Sequence, residues 1–200
     1  MVTPALTIGI AGTHASGKTT LQKRIEMELR AQGLTVASTG GLAKRAAALG
    51  FPKMQNHTPA STQWIIAAGA AAELETALGA DVVLVSRTAH DAVAYYLAAL
   101  HSRGEVPDPE ILEPLTMLAH LHTAHHTLLL ATRLDPALPL PDSPHRDPAY
   151  RDLAFRTQVD QQLHQLLDDE HIPYREVPSH GHQSAVADIV AMVNTAAALA

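Results

Sequence analysis

The eight residues Gly12-Thr13-His14-Ala15-Ser16-Gly17-Lys18-Thr19 constrain this chain more than any others. They fit the spacing G-x-x-x-x-G-K-[ST] at every fixed position. Glycines at both ends let the backbone curl so that successive N–H groups face one point, which suits an anion. The start of the following helix adds partial positive charge at that point. Lys18 has the reach for β- and γ-phosphates, and the Thr19 hydroxyl is placed to ligate Mg²⁺. Gly12, Thr13, His14, Ala15, Ser16, Gly17, Lys18, Thr19 and the adjacent Thr20 are therefore the expected nucleotide-binding residues. The motif does not separate ATP from GTP.

The surroundings of the motif agree with it. Leu6–Ala11 is a short apolar run of the kind that forms a strand buried on both faces. From Gly17 to about Gln32, Leu21, Ile25 and Leu29 recur every four residues among charged neighbours, a helical stripe closed by Gly33. The alternation continues. Leu34–Ser38, Asp81–Val85, Thr127–Ala131 and Tyr174–Val177 read as strands. Leu42–Leu49, Ser61–Leu78, Ala89–Leu100, Glu110–His125, Ala149–His171 and Ser184–Leu199 read as helices. Phe51–Pro59 reads as a loop. This order predicts an α/β chain with a parallel sheet covered by helices on both faces. The stretch 134–148 carries Pro136, Pro139, Pro141, Pro144 and Pro148, so it is neither regular helix nor strand. We read it as a lid or insertion within one domain spanning 1–200.

Composition narrows the function classes. A formal net charge of -6 without a basic stripe argues against a nucleic-acid partner. The chain has no cysteine, which excludes disulfides, thiolate metal sites and cysteine nucleophiles. The one apolar run near the start is too short for a signal or a span, so the expectation is a cytoplasmic protein with no membrane partner. A homodimer is admitted as a possible assembly.

From the phosphate loop onward the chain resembles the small P-loop kinases of the AAA_28 and nicotinamide-riboside-kinase-like group. The resemblance rests on Gly12–Thr20, on Val82–Arg87 with Asp91–Tyr96 after it, and on the arginine-containing segment His145–Arg156. It implies a three-layer P-loop NTPase fold with a five-stranded parallel sheet in the order 2-3-1-4-5. It also implies a phosphate acceptor held opposite ATP beneath a lid. In that group the third strand usually ends in Asp-Arg; here the pair is Ser86-Arg87. A second acid often follows the second strand; here the chain reads Thr39-Gly40-Gly41. Both carboxylates are missing, and a serine hydroxyl neither supplies charge nor acts as a base near neutral pH.

The candidate catalytic residues are Lys18, Arg87, Asp91, Arg146 and Arg151, with Thr19 and Ser86 as metal-holding hydroxyls. Asp91 is the nearest replacement acid, although its place also suits a carboxylate in the first turn of a helix. Arg87 closes the third strand at the sheet edge where ligands bind. Arg146, Arg151 and Arg156 are candidates for a lid contact with the transferring phosphate, Arg146 and Arg151 ahead of Arg156. Lys44, Arg45, Gln63, Trp64 and Tyr95 are weaker candidates for an acceptor pocket, and Pro178–Gln183 for contact with the base. His120, His122, His125 and His126 look like a metal cluster but read better as a helix end. The expected function is ATP-dependent phosphoryl transfer to a small metabolite, a nucleoside or nucleotide-like acceptor, with Mg²⁺. A nucleotide-binding regulatory protein or a slow NTPase is the alternative.

Overall fold

In a computed structural model, residues 5–140 and 148–198 are described. Five strands form one parallel sheet in the order β2-β3-β1-β4-β5. They are β1 (Leu6–Ala11), β2 (Val36–Thr39), β3 (Val82–Ser86), β4 (Leu128–Thr132) and β5 (Arg175–Val177). Their register is set by pairs such as Ile8 with Leu84 on one side and Ile8 with Leu128 on the other. Seven helices connect and flank the strands among the described residues: α1 (Lys18–Ala31), α2 (Leu42–Ala48), α3 (Pro59–Ala77), α4 (Ala89–Arg103), α5 (Pro109–Thr123), α6 (Leu153–Asp169) and α7 (His182–Ala198).

The period-two alternation of each strand feeds two cores. Ile8 and Ile10 of β1, Leu84 of β3 and Leu130 of β4 point to one face, where Leu21, Ile25 and Leu29 of α1 meet Ile189 and Val193 of α7. Ala11, Leu129 and Ala131 point to the other, against Ala94 of α4 and Leu163 and Leu167 of α6. A further cluster joins Ile66 of α3, Val93 and Tyr96 of α4, and Leu115 of α5. The continuous apolar strands thus reflect burial on both faces, as all-parallel sheets require. No helix among the described residues is long and apolar enough to cross a membrane.

Most element boundaries shift by one to three residues from the sequence reading, and at two helix starts capping gives the reason. α3 starts at Pro59 rather than Ser61, because Thr58 is its N-cap and shares a capping box with Ser61. The expected helix from Ala149 is split: Pro148–Arg151 forms a 3-10 turn, and Asp152 then caps α6 by accepting from the Phe155 amide at 3.1 Å. The loop over Phe51–Pro59 contains a 3-10 turn at Met54–Asn56. Residues 141–147 of the proline-rich stretch, with Arg146 among them, lie outside the described residues.

Candidate active site

The phosphate loop connects β1 to α1 at the carboxyl edge of the sheet. Its curl uses positive φ at Gly12 (144°), Ala15 (56°) and Gly17 (90°). Side chains have no room at either glycine. A Cβ on Gly12 would lie 2.1 Å from Thr132 Oγ1, and one on Gly17 would lie 2.6 Å from the His182 ring. No hydrogen bond among the described residues occupies the amides of Ala15, Ser16, Gly17, Lys18 and Thr19. These donors form the anion nest that the motif predicts. Lys18 Nζ folds back to donate to the carbonyls of Gly12 and Thr13. Burial lowers its pKa to about 8, partly opposed by the nearby Asp91.

The loop is held from beneath by α4. Asp91 Oδ1 accepts from the Gly12 amide at 2.8 Å. Its Oδ2 accepts from the Thr88 amide at 2.6 Å and from the Thr88 hydroxyl at 3.1 Å. Both oxygens are thus engaged, and the side chain is 2% exposed. As the replacement acid of the sequence reading, Asp91 is better described as a positioning residue, because its lone pairs face the main chain and the capping box of α4. One turn on, the Tyr95 hydroxyl accepts from the His14 amide at 3.0 Å and lies 2.7 Å from His14 Nδ1. His14 Nε2 donates to the Tyr150 carbonyl at 3.0 Å. Burial, reinforced by the cations Arg87, Lys18 and Arg156, pulls the His14 pKa down to about 3. The neutral ring therefore accepts from Tyr95 and donates to Tyr150, tying the loop to the turn that precedes α6. Thr132 at the end of β4 completes the support, with its hydroxyl 2.6 Å from that of Ser16.

Two cavities open above this platform. One of about 480 Å³ runs along the loop and is lined by Lys18, Thr19, Ser86 and, from the proline-rich stretch, Leu138 and Pro139. The other, about 690 Å³, lies between α2, the 3-10 turn at Met54–Asn56 and α4. Thr19, Arg87 and Tyr150 border both. Arg87 adopts a left-handed backbone at φ 71°, a conformation that non-glycine residues keep where the surrounding structure forces it. Its guanidinium lies over the Tyr95 ring, 5.7 Å from the centroid.

The remaining candidates separate. Arg156 is 2% exposed, reaches the Ala15 carbonyl at 3.4 Å, and its Nε has no partner among the described residues. Arg151, preferred to it in the sequence, is exposed at the end of its 3-10 turn. Lys44 lines the larger cavity, whereas Arg45 stacks on Trp64, which packs against Phe51. Gln63 is exposed on α3. His126 bonds Glu73 at 3.0 Å, and His120 lies 3.5 Å from Glu170, both far from the loop at the other end of the sheet. His57 and Tyr150 were not anticipated. Neither has a sequence signal of its own; only the turns that carry them bring them to the cavities.

Thr19 and Ser86 both line the smaller cavity, and no carboxylate lines it among the described residues. This donor set fits a Mg²⁺ that keeps most of its waters and takes its anionic ligands from a nucleotide.

Two measurements test this geometry. Asp91→Ala leaves the Gly12 and Thr88 amides without acceptors, so it should cost about 3 kcal/mol in urea unfolding; a cost under about 0.5 kcal/mol would contradict the clamp. A polyphosphate beside Lys18 raises its pKa, so ATP binding at pH 8 should take up about half a proton in calorimetry across buffers of different ionisation enthalpy. The uptake should vanish in Lys18→Ala, and proton release in the wild type would mean that Lys18 does not meet the phosphates.

A family model described as an AAA domain, AAA_28, matches residues 7–185. No curated protein matches the sequence. Among solved structures, a NadR protein in complex with NR superposes with a TM-score of 0.64 at 15% identity, covering 92% of this chain and 49% of that one. A NadR protein in complex with NAD and AMP-PNP gives 0.63 at 14% identity, covering 92% and 48%. The chain thus spans about half the length of these neighbours, and the likeness concerns the fold. The glycine-framed loop, the sheet order and the family match over residues 7–185 together place this chain in the AAA_28 family of AAA domains.

Proposed function

We propose that this chain transfers the γ-phosphoryl group of ATP to a small nucleoside-like or nucleotide-like acceptor. The observation that carries the reading is that two cavities, one along the phosphate loop and one beside it, meet at Thr19, Arg87 and Tyr150. A pure nucleotide switch needs only the first. The solved NadR complexes with NR and with AMP-PNP support an arrangement of this kind on the same fold.

In this reading the free amides from Ala15 to Thr19 bind the β-phosphate, and Lys18 swings from the Gly12 and Thr13 carbonyls to the β- and γ-oxygens. Arg87, at the junction, neutralises charge on the phosphoryl group in flight. Thr19 and Ser86 orient the waters and phosphates around Mg²⁺, which offsets charge on the leaving group when bound. Arg156 reinforces the loop from α6, and Arg146 and Arg151 are proposed to close from the lid. Closure excludes water, so transfer competes with hydrolysis. Asp91 and His14 position the loop rather than touch the substrate.

A second reading, a regulatory nucleotide binder or slow NTPase, is favoured by one observation. Ser86 stands where an acid is expected, and no carboxylate lines the phosphate cavity among the described residues. Release of ADP across a metabolite panel separates the two. Acceptor-dependent release in the wild type, lost at least 100-fold in Lys18→Ala, is the expected outcome for a kinase, since one transition-state phosphate contact is worth about that factor. ATP binding without any acceptor dependence would establish the second reading instead.

A further inference from the structure

The larger cavity has a sign of charge. Lys44 of α2, Lys53 before the 3-10 turn and Arg87 at the end of β3 line it. Asp91 is the one carboxylate among its described lining residues, and its oxygens are held by the amides of Gly12 and Thr88. His57 also lines the cavity, is 4% exposed, and has an Nε2 without a partner among the described residues. A cationic acceptor finds no available counter-charge among the described lining residues, whereas an anionic one finds Lys44, Arg87 and a buried ring nitrogen.

The missing acids point the same way. A hydroxyl acceptor carries a proton that must leave as the new bond forms, and a carboxylate beside it is the usual recipient. A phosphomonoester with a second pKa near 6 is largely a dianion at pH 7 and has no such proton to give up. For such an acceptor the absence of a carboxylate at position 86 removes no needed base.

We infer that the acceptor is itself a phosphomonoester of nucleotide size, held in the Lys44–Arg87–His57 cavity and phosphorylated on its phosphate. This deepens, and rests on, the kinase reading above. An oxygen of the acceptor phosphate attacks the γ-phosphorus of ATP. The new P–O bond forms as the bond to the β–γ bridging oxygen breaks, and that electron pair leaves with ADP. The products are ADP and a diphosphate, with no proton abstracted. Arg87, which borders both cavities, spans the donor and acceptor phosphates.

The test uses the full chain loaded with Mg²⁺ and AMP-PNP. Four nucleoside 5′-monophosphates, their parent nucleosides, ribose 5-phosphate and nicotinamide riboside are titrated calorimetrically. At least one phosphomonoester should bind tenfold or more tightly than its unphosphorylated parent, with the gap shrinking as salt rises. Tight binding of ribose 5-phosphate alone would identify a sugar phosphate as the source of the same chemistry and still support the inference. Lys44→Glu should weaken that phosphomonoester tenfold while leaving AMP-PNP affinity unchanged. Nucleosides binding as well as their monophosphates, or no phosphomonoester binding at all, would overturn it. Turnover distinguishes the two levels. Release of ADP dependent on a nucleoside and not on any monophosphate would overturn this inference and leave the kinase reading standing.

Discussion

The hydrogen bond from the Gly12 amide to Asp91, 2.8 Å long and buried, is the contact on which the site depends. It joins the end of β1 to the first turn of α4, two segments 79 residues apart. The same carboxylate closes the capping box of α4 through Thr88, so one side chain fixes both the helix start and the loop start. A buried carboxylate held by three donors is costly to remove and rigid while present. Tyr95, one turn later on the same helix face, repeats the device at His14. The loop therefore arrives at its anion-binding shape without the anion, which is what preorganised electrostatics needs.

The same arrangement concentrates positive charge. Lys18, Arg87 and Arg156 approach the loop closely enough to depress His14, with burial as the larger cause. Lys18 and Arg156 are both nearly buried. Buried cations without a counter-charge are costly, and an anion beside them would offset that cost.

Much of this is legible in the sequence itself. The apolar runs, the four-residue stripe of α1 and the spaced glycines encode strand, helix and nest through local physics, and the strand order follows the family resemblance. Lys18, Thr19 and Arg87 were placed by the motif and the strand end, and the structure brings all three to one cavity. Asp91 was visible as an acid in the right turn, but its partners were not, because the Gly12 contact is long-range. His57 and Tyr150 were invisible for a different reason. They sit on short 3-10 turns or beside them, segments whose direction is set by packing rather than by periodicity. Arg156 ranked last of three in the sequence, yet the Asp152 cap turns α6 so that this arginine faces the loop. The metal reading of the histidine run fails to gain support for a local reason: His126 is already bonded to Glu73, and His120 faces Glu170.

Everything rests on whether the nest beside Lys18 holds a polyphosphate. Equilibrium dialysis of the purified chain with labelled ATP and magnesium addresses this without reference to any acceptor. One saturable site with a Kd of about 1 mM or below, displaced by tripolyphosphate and by unlabelled ATP but not by adenosine, is the predicted result. Absence of binding at millimolar ATP, or displacement by adenosine alone, would contradict the account.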